Sequence, residues 1–182
     1  MKSIESVFCG QFTIVFFFCI FSLRSKSFLA EKISYLLAFV FILIVTFCNR
    51  NQLFSFSVIL KPFSAFETIL LLPWRSHGRY VFRGLIGNIL LLFPFGLLLS
   101  RYEGKCYKYF IPFLISLTIE TIQYFTRLGT FEVDDLICNT IGGILGYELG
   151  KQMSGQRKGN FLMPGIYLAA LGLCCLKSIL FN

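Results

Sequence analysis

Long apolar runs, separated by short polar stretches, dominate the pattern of this chain. A helix that crosses a bilayer needs about 20 consecutive apolar residues, and about 17 is the lower limit. Segments that approach this length lie at about 7–23, 30–48, 84–100, 109–125, 135–150 and 161–180. The pattern therefore predicts an all-α fold, a polytopic transmembrane helical bundle with about six spans.

The longest connection, at about 49–83, carries a short apolar stretch of its own. Thr68–Leu72 is too short to cross a bilayer, and Pro73 and Trp74 follow it directly. Tryptophan side chains favour the interface between lipid and water. We therefore predict a re-entrant or interfacial segment near 62–75.

The fifth apolar segment is short and rich in glycine. Gly142, Gly146 and Gly150 recur at every fourth position, with Gly143 beside them. Small residues at this spacing let helices approach closely in lipid, so this helix is predicted to pack inside the bundle. The chain shows no internal repeat, which argues against a transporter, and no low-complexity linker. We therefore expect a single transmembrane domain over 1–182.

Composition supports a membrane environment. Hydrophobic residues make up 56% of the 182 residues, and only 14% are charged. A soluble domain usually carries about a quarter charged residues. So much apolar surface cannot be hidden inside one small globule, and membrane lipids are the expected partners of its outer face.

The formal net charge of +8 would suggest nucleic acid in a soluble protein. Here, however, the basic residues lie mostly in short stretches between the apolar runs. In these places they determine topology and contact anionic lipid head groups. We therefore expect no nucleic-acid partner.

Orientation follows from the basic residues of the short loops, because these residues tend to stay on the cytoplasmic side. Three short loops, on one side of the predicted bundle, carry Arg24, Lys26, Lys32, Arg101, Lys105, Lys108, Lys151, Arg157 and Lys158. We therefore place this side in the cytoplasm and both termini outside. The long connection at 49–83 and the acidic loop at 126–134 then both face outward.

The N-terminal apolar run, Phe12–Phe21, resembles the central region of a secretory signal. The sequence before it is weakly charged, and no cleavage site of the A-x-A type follows it. We therefore expect this run to be a retained span.

Residue types that usually indicate a metal site or a catalytic nucleophile are sparse, or their spacing does not fit such a site. The seven cysteines are scattered without a CxxC pair, and His77 is the one histidine. No zinc set can be completed locally. No serine or threonine has a histidine at a meaningful spacing, and no glycine-rich phosphate loop occurs. We therefore expect no metal and no cofactor.

Polar residues inside the predicted spans are costly in lipid, and each is a functional candidate for that reason. Glu120, Gln123 and Arg127 are spaced by three and four positions, so they share one stripe of the fourth span. At the start of the fifth span, Asp135 and Asn139 share a face in the same way. Carboxylates at this position also suit the positive end of the helix dipole.

The third span adds Arg83 and Asn88, followed by Pro94, where a kink is predicted. Together these groups predict a polar pocket that faces outward. Carboxylates there would have raised pKa values suited to acid catalysis, and with Asn139 they could hold Mg²⁺ or Ca²⁺, but neither signal is specific. The alternative is structural: the same groups pin helices together, and Asp134 caps a helix.

Three segments of the chain resemble the signature of the VanZ-like family. They are Arg83-Gly84 through Gly87-Asn88 with Phe93-Pro94-Phe95-Gly96, then Ser116-Leu117 with Glu120 and Gln123, and finally the run from Arg127 to Gly143. Lys61-Pro62-Phe63 also lies where the family has a similar sequence. The resemblance covers about 60–147, departs from the family at Glu132, where aspartate is usual, and leaves the run at 7–23 ahead of the usual first helix.

The resemblance implies a helical protein of the bacterial plasma membrane. The founding member of the family gives low-level resistance to the glycopeptide teicoplanin, and no reaction is established for the family. By resemblance, the site residues are Arg83, Asn88, Glu120, Gln123, Arg127, Asp134, Asp135 and Asn139. The expected ligand is a lipid-linked cell wall precursor or a lipoglycopeptide. A membrane-embedded enzyme that acts on a lipid or on such a precursor is the alternative.

Overall fold

The computed structural model describes residues 2–25, 27–48, 57–71, 77–102 and 107–154. The elements are α1 (Lys2–Ser25), α2 (Phe28–Leu43), a π-helical turn (Ile44–Cys48), β1 (Val58–Ile59), α3 (Ser64–Leu71), α4 (His77–Leu99), α5 (Tyr107–Thr126), β2 (Phe131–Glu132) and α6 (Val133–Met153). Within these ranges the fold is helical except for one pair of two-residue strands.

Five of the predicted apolar segments coincide with α1, α2, α4, α5 and α6. The sixth, at 161–180, lies outside the described residues. Only two helices in the described part are long and apolar enough to cross a membrane, Phe28–Thr46 and Tyr80–Leu99. The prediction of six spans is therefore not confirmed. α5 falls short because Glu120 and Gln123 lower its average hydropathy, and α6 because of its glycines and polar residues.

Helix α4 lies at the centre of the fold, where it packs against α1, α2, α3, α5 and α6. Leu92, Leu97 and Leu98 on this helix are fully buried. From α1, the rings of Phe12 and Phe16 lie 6.5 and 5.9 Å from the ring of Phe93, centroid to centroid. Close packing of such large apolar side chains supplies van der Waals attraction that holds the helices of this core together.

Glycines form the contact between α4 and α6, the most extensive helix pair. A Cβ atom added at Gly142 would lie within 3.0 Å of the Ile89 carbonyl oxygen, and one at Gly146 would clash in the same way with the Phe93 carbonyl oxygen. Because only a hydrogen fits there, the backbones lie in direct contact. This confirms the close packing that the glycine spacing predicted.

Ion pairs join the helices at the end of the bundle where the basic loops lie. The Arg101 guanidinium, just after α4, donates to the Glu31 carboxylate at 2.8 Å and also to the Ser22 carbonyl oxygen at 2.5 Å. Lys108 and Glu148 pair at 2.7 Å and connect α5 to α6. These contacts bring together the ends of α1, α4 and α6 and the starts of α2 and α5, so the five helices alternate in direction.

The segment 57–71 lies at the opposite end and packs against the start of α6. Strand β1 pairs in parallel with β2, with Val58 opposite Phe131. The predicted segment near 62–75 contains the short helix α3, whose Leu70 is 85% exposed. A short helix with exposed apolar side chains is therefore present here, while its location at a membrane interface stays a prediction.

We predict that Gly142→Ala forces α4 and α6 apart. Overpacking of a tight contact costs about 1–3 kcal/mol, so the melting temperature of the detergent-solubilised protein should fall clearly. Gly84→Ala is the matched control, because a Cβ at Gly84 meets nothing within 4 Å. In an open helix position this change should be neutral or stabilising by about 0.5–1 kcal/mol. Equal melting temperatures for the two variants would contradict the proposed contact.

Candidate functional site

A small polar cavity lies between the end of α2 and helices α4, α5 and α6. Its volume is about 30 Å³, which is room for one or two water molecules. Five of the eight predicted site residues line it: Asn88, Glu120, Gln123, Asp135 and Asn139. Thr46, Val45, Leu91 and Ile119 complete the lining. The structure therefore brings together the amides and carboxylates that the sequence assigned to three separate helices.

Helical spacing places each of these side chains. Glu120 and Gln123 are one turn apart on α5, and both are buried, at 2% and 3% exposure. Asp135 and Asn139 are one turn apart in the first half of α6. Thr46 lies in the π-helical turn that ends α2. Such turns are rare and occur frequently at functional sites.

Hydrogen bonds hold part of the lining in place. The backbone N–H of Glu132 donates to Glu120 Oε2 at 3.3 Å, and Gln123 Nε2 donates to the Thr46 carbonyl oxygen at 3.5 Å. By contrast, Asn139 Oδ1 and Thr46 Oγ1 are buried and have no protein partner. Buried polar atoms normally find a partner, and one left unpaired costs about 1–3 kcal/mol.

Asp134 lies outside the cavity, although it was predicted to belong to it. Its carboxylate accepts hydrogen bonds from the N–H groups of Phe63 and Ala65, at 2.5 and 2.8 Å, and from the hydroxyl of Ser64 at 3.1 Å. These donors belong to the first turn of α3 and the residue before it. The carboxylate therefore caps α3 and holds the segment 57–71 against α6.

Arg127 also lies outside the cavity, because α5 ends at Thr126 and the predicted stripe ends with it. Arg127 adopts a left-handed backbone conformation, with φ of 57°. Its N–H donates to the Tyr124 carbonyl at 3.2 Å, and the N–H of Leu128 donates to the Gln123 carbonyl at 3.0 Å. This is the Schellman arrangement of a helix end, in which glycine is the usual residue.

Arg83 is exposed and does not line the cavity. It lies on α4 less than two turns before Asn88, near the end of the bundle that contains the cavity. Thr46 is the polar lining residue that the sequence did not predict. A threonine near the end of an apolar run gives no signal of its own, because hydroxyls are common in membrane helices and usually bond within their own helix.

We predict that Asp134→Ala releases the segment 57–71 from α6. Three hydrogen bonds to a carboxylate are lost, and the free energy of unfolding should fall by at least about 2 kcal/mol. Amide hydrogen exchange at Ala65 should become much faster, since its acceptor is gone. Asp134→Asn keeps one acceptor oxygen and should give an intermediate rate. Unchanged exchange at Ala65 in Asp134→Ala would contradict the capping role.

Comparisons with known proteins agree with the signature. The VanZ/LLP1 family model matches residues 12–153, which include the part of α1 from Phe12 onward. Protein VanZ of Enterococcus faecium is 36% identical over 113 residues, which cover 58% of this chain and 69% of that protein. No solved structure matches. The chain therefore belongs to the VanZ-like family.

Proposed function

We propose that this chain is a multi-pass protein of the bacterial plasma membrane that lowers the action of teicoplanin. The observation that carries the proposal is the family match over 12–153, which includes every residue lining the cavity. The similarity to Protein VanZ supports it. The expected effect is exerted from the outer side, where the cavity and the segment 57–71 lie in the proposed orientation.

Helix length and surface support the membrane location. α4, α5 and α6 contain 23, 20 and 21 residues, which corresponds to about 30 Å each, the thickness of the hydrocarbon core. Exposed apolar side chains cover the outer helices, including Phe17, Leu36 and Phe39, each more than half exposed. Contiguous apolar surfaces of this kind are rare on soluble monomers.

Charge distribution supports the orientation. The basic residues of the short loops, Arg101 and Lys108 among them, lie at one end of the bundle, where they pair with Glu31 and Glu148. The carboxylates Glu120, Asp134 and Asp135 lie at the other end, together with Arg83 and Arg127. The positive-inside rule places the first end in the cytoplasm. The cavity then lies on the side of the outer leaflet, where teicoplanin, a glycopeptide with a lipid tail, acts.

Topology reporters test this orientation. Alkaline phosphatase, which is active only outside the cytoplasm, should be active when fused after Gly129 and inactive when fused after Tyr102. A cytoplasmic fluorescent reporter at the same two positions should give the reverse pattern. Phosphatase activity after Tyr102 but not after Gly129 would mean that the cavity faces the cytoplasm. Recovery of the protein in the soluble fraction would contradict the membrane location itself.

The size of the cavity limits the mechanism. A volume of about 30 Å³ admits a small ion or one or two waters and excludes a glycopeptide or a lipid-linked precursor. A large ligand would have to bind over the surface formed by 57–71 and 126–135. The cavity then supports this surface from below through Glu120, whose carboxylate accepts from the backbone of Glu132. Nothing in the described residues favours a membrane-embedded enzyme, and we propose no reaction.

Arg127 is the residue on this surface whose conformation favours a role in function. A left-handed conformation costs a non-glycine residue about 1–2 kcal/mol. Such strain persists where the side chain is needed or where the surroundings impose it. The Arg127 side chain is exposed on the surface formed by 57–71 and 126–135. We therefore assign Arg127 to the outer surface that acts on teicoplanin.

Expression in a sensitive Gram-positive host tests the function. The wild-type chain should raise the inhibitory concentration of teicoplanin several-fold. Arg127→Gly should lose this effect while its melting temperature stays equal or rises, because glycine removes the backbone strain. Arg127→Lys, which keeps the charge and the strain, should retain part of the effect. If the wild-type chain inserts into the membrane but leaves the inhibitory concentration of teicoplanin unchanged, the proposed function is wrong. If Arg127→Gly gives full resistance, Arg127 has no role in it.

A further inference from the structure

An apolar face of α3 lies open on the surface of the described chain. Phe63, Phe66 and Leu70 are spaced by three and four positions, so they share one face of the helix and of the residue before it. Their side chains are 60%, 48% and 85% exposed. The helix packs against α4, and Thr68, on the opposite side of α3, is half-buried. Exposed apolar side chains that share one face usually mark contact with a partner or with lipid.

The packing of α6 on α4 gives the depth at which α3 begins. The glycine contacts advance along both helices together, so α4 and α6 run parallel. Gly142 lies against Ile89, and Asp134 and Val81, eight positions earlier on each helix, are therefore about level. Val81 is the second residue of the apolar stretch Tyr80–Leu99. Because Asp134 caps the first turn of α3, α3 begins where the apolar surface of α4 begins.

The other end of α3 is tied to the same end of the bundle. Five residues lie between Leu71, where α3 ends, and His77, where α4 begins. A helix of eight residues is about 12 Å long, so α3 cannot reach across a hydrocarbon core of about 30 Å. With its start level with Val81 and its end joined to the start of α4, the helix is held at the end of the bundle where the apolar surface stops.

The charges on this segment suit a boundary between hydrocarbon and water. Glu67 is the one charged residue of α3, and it pairs with Lys61. Both side chains are at least half exposed, so they can stay among lipid head groups while the apolar side chains reach into hydrocarbon. Pairing also removes the net charge that would otherwise oppose contact with lipid.

The neighbouring helices indicate what covers the apolar face of α3. At the same end of the bundle, Tyr80 near the start of α4 and Phe125 near the end of α5 are 66% and 71% exposed. These side chains and the face of α3 belong to three different helices. A protein partner would have to contact all three, whereas lipid surrounds a membrane protein on every side. Lipid is therefore the occupant that accounts for all of these exposed side chains.

We propose that α3 is an interfacial anchor that inserts Phe63, Phe66 and Leu70 into the outer leaflet, at the level where acyl chains meet head groups. Of the re-entrant and the interfacial segment that the sequence left open, the structure thus favours the second. The proposal rests on the membrane location and orientation of the proposed function, which the topology reporters test. Because Asp134 joins α3 to α6, the anchor also sets the depth of the surface formed by 57–71 and 126–135. A ligand of this surface is then a molecule held among the head groups of the outer leaflet.

Tryptophan fluorescence of the full chain in liposomes tests the proposal. Trp74→Phe removes the single tryptophan of the chain, and Phe66→Trp or Leu70→Trp then places one on the exposed face of α3. The liposomes are made of phosphatidylcholine whose acyl chains carry bromine, a quencher, either close to the head groups or close to the chain ends. Emission should be lost mainly with bromine close to the head groups, and iodide in the water should quench it little. Thr68→Trp, on the opposite side of α3, is the matched comparison and should lose less emission with either bromine position.

Phe39→Trp in the same background is the positive control, because Phe39 is 57% exposed and lies near the middle of α2. Its emission should be lost mainly with bromine close to the chain ends. If this control behaves as expected but iodide quenches Phe66→Trp and bromine does not, α3 lies in water and the proposal is overturned. Quenching of Phe66→Trp mainly by bromine close to the chain ends would make α3 re-entrant and would also overturn it. If bromine quenches neither position, the membrane location itself is wrong, and the anchor fails with it.

Discussion

The contact between α4 and α6 determines the rest of the structure. Gly142 and Gly146 let the α6 backbone lie directly on the carbonyl groups of Ile89 and Phe93. Any larger residue would separate the two helices by the width of a side chain. Asn88 immediately precedes Ile89, and Asn139 lies less than one turn before Gly142. The same close approach that packs the core therefore brings the polar residues of the two helices to one cavity.

Two neighbouring carboxylates at the start of α6 connect this core to the segment 57–71. Successive residues of a helix point about 100° apart, so Asp134 and Asp135 serve different structures. Asp134 caps α3 and holds the segment 57–71, while Asp135 lines the cavity. Glu120 connects the cavity to β2, because its side chain lines the cavity and its carboxylate accepts a hydrogen bond from the backbone N–H of Glu132. A change inside the cavity therefore acts directly on the surface formed by 57–71 and 126–135.

Sequence reasoning located most of the helices, because an apolar run of sufficient length has few alternatives to a helix. It also grouped Glu120 with Gln123, and Asp135 with Asn139, because a spacing of three or four is fixed by helix geometry. It failed where a helix ends. Arg127 has the spacing of the stripe, but α5 stops one residue earlier. Asp134 was predicted to line the pocket together with Asp135. Its actual partner is the start of α3, and only the three-dimensional packing shows that α3 lies beside it.

The mean hydropathy of α5 also does not show on which face of the helix its polar residues lie. Glu120 and Gln123 lower the average of this helix, yet both are buried against α6 and the end of α2. Its other face presents Phe110, Leu114 and Phe125, each at least 40% exposed. A soluble protein places its polar residues outside and its phenylalanines inside, because water solvates the former and expels the latter. The reverse arrangement on α5 is stable when hydrocarbon surrounds the helix, because each polar group then faces the protein, where its desolvation is compensated. Glu120 and Gln123 lower the mean hydropathy of α5 but are compatible with a membrane span, because they lie on the face that contacts the protein.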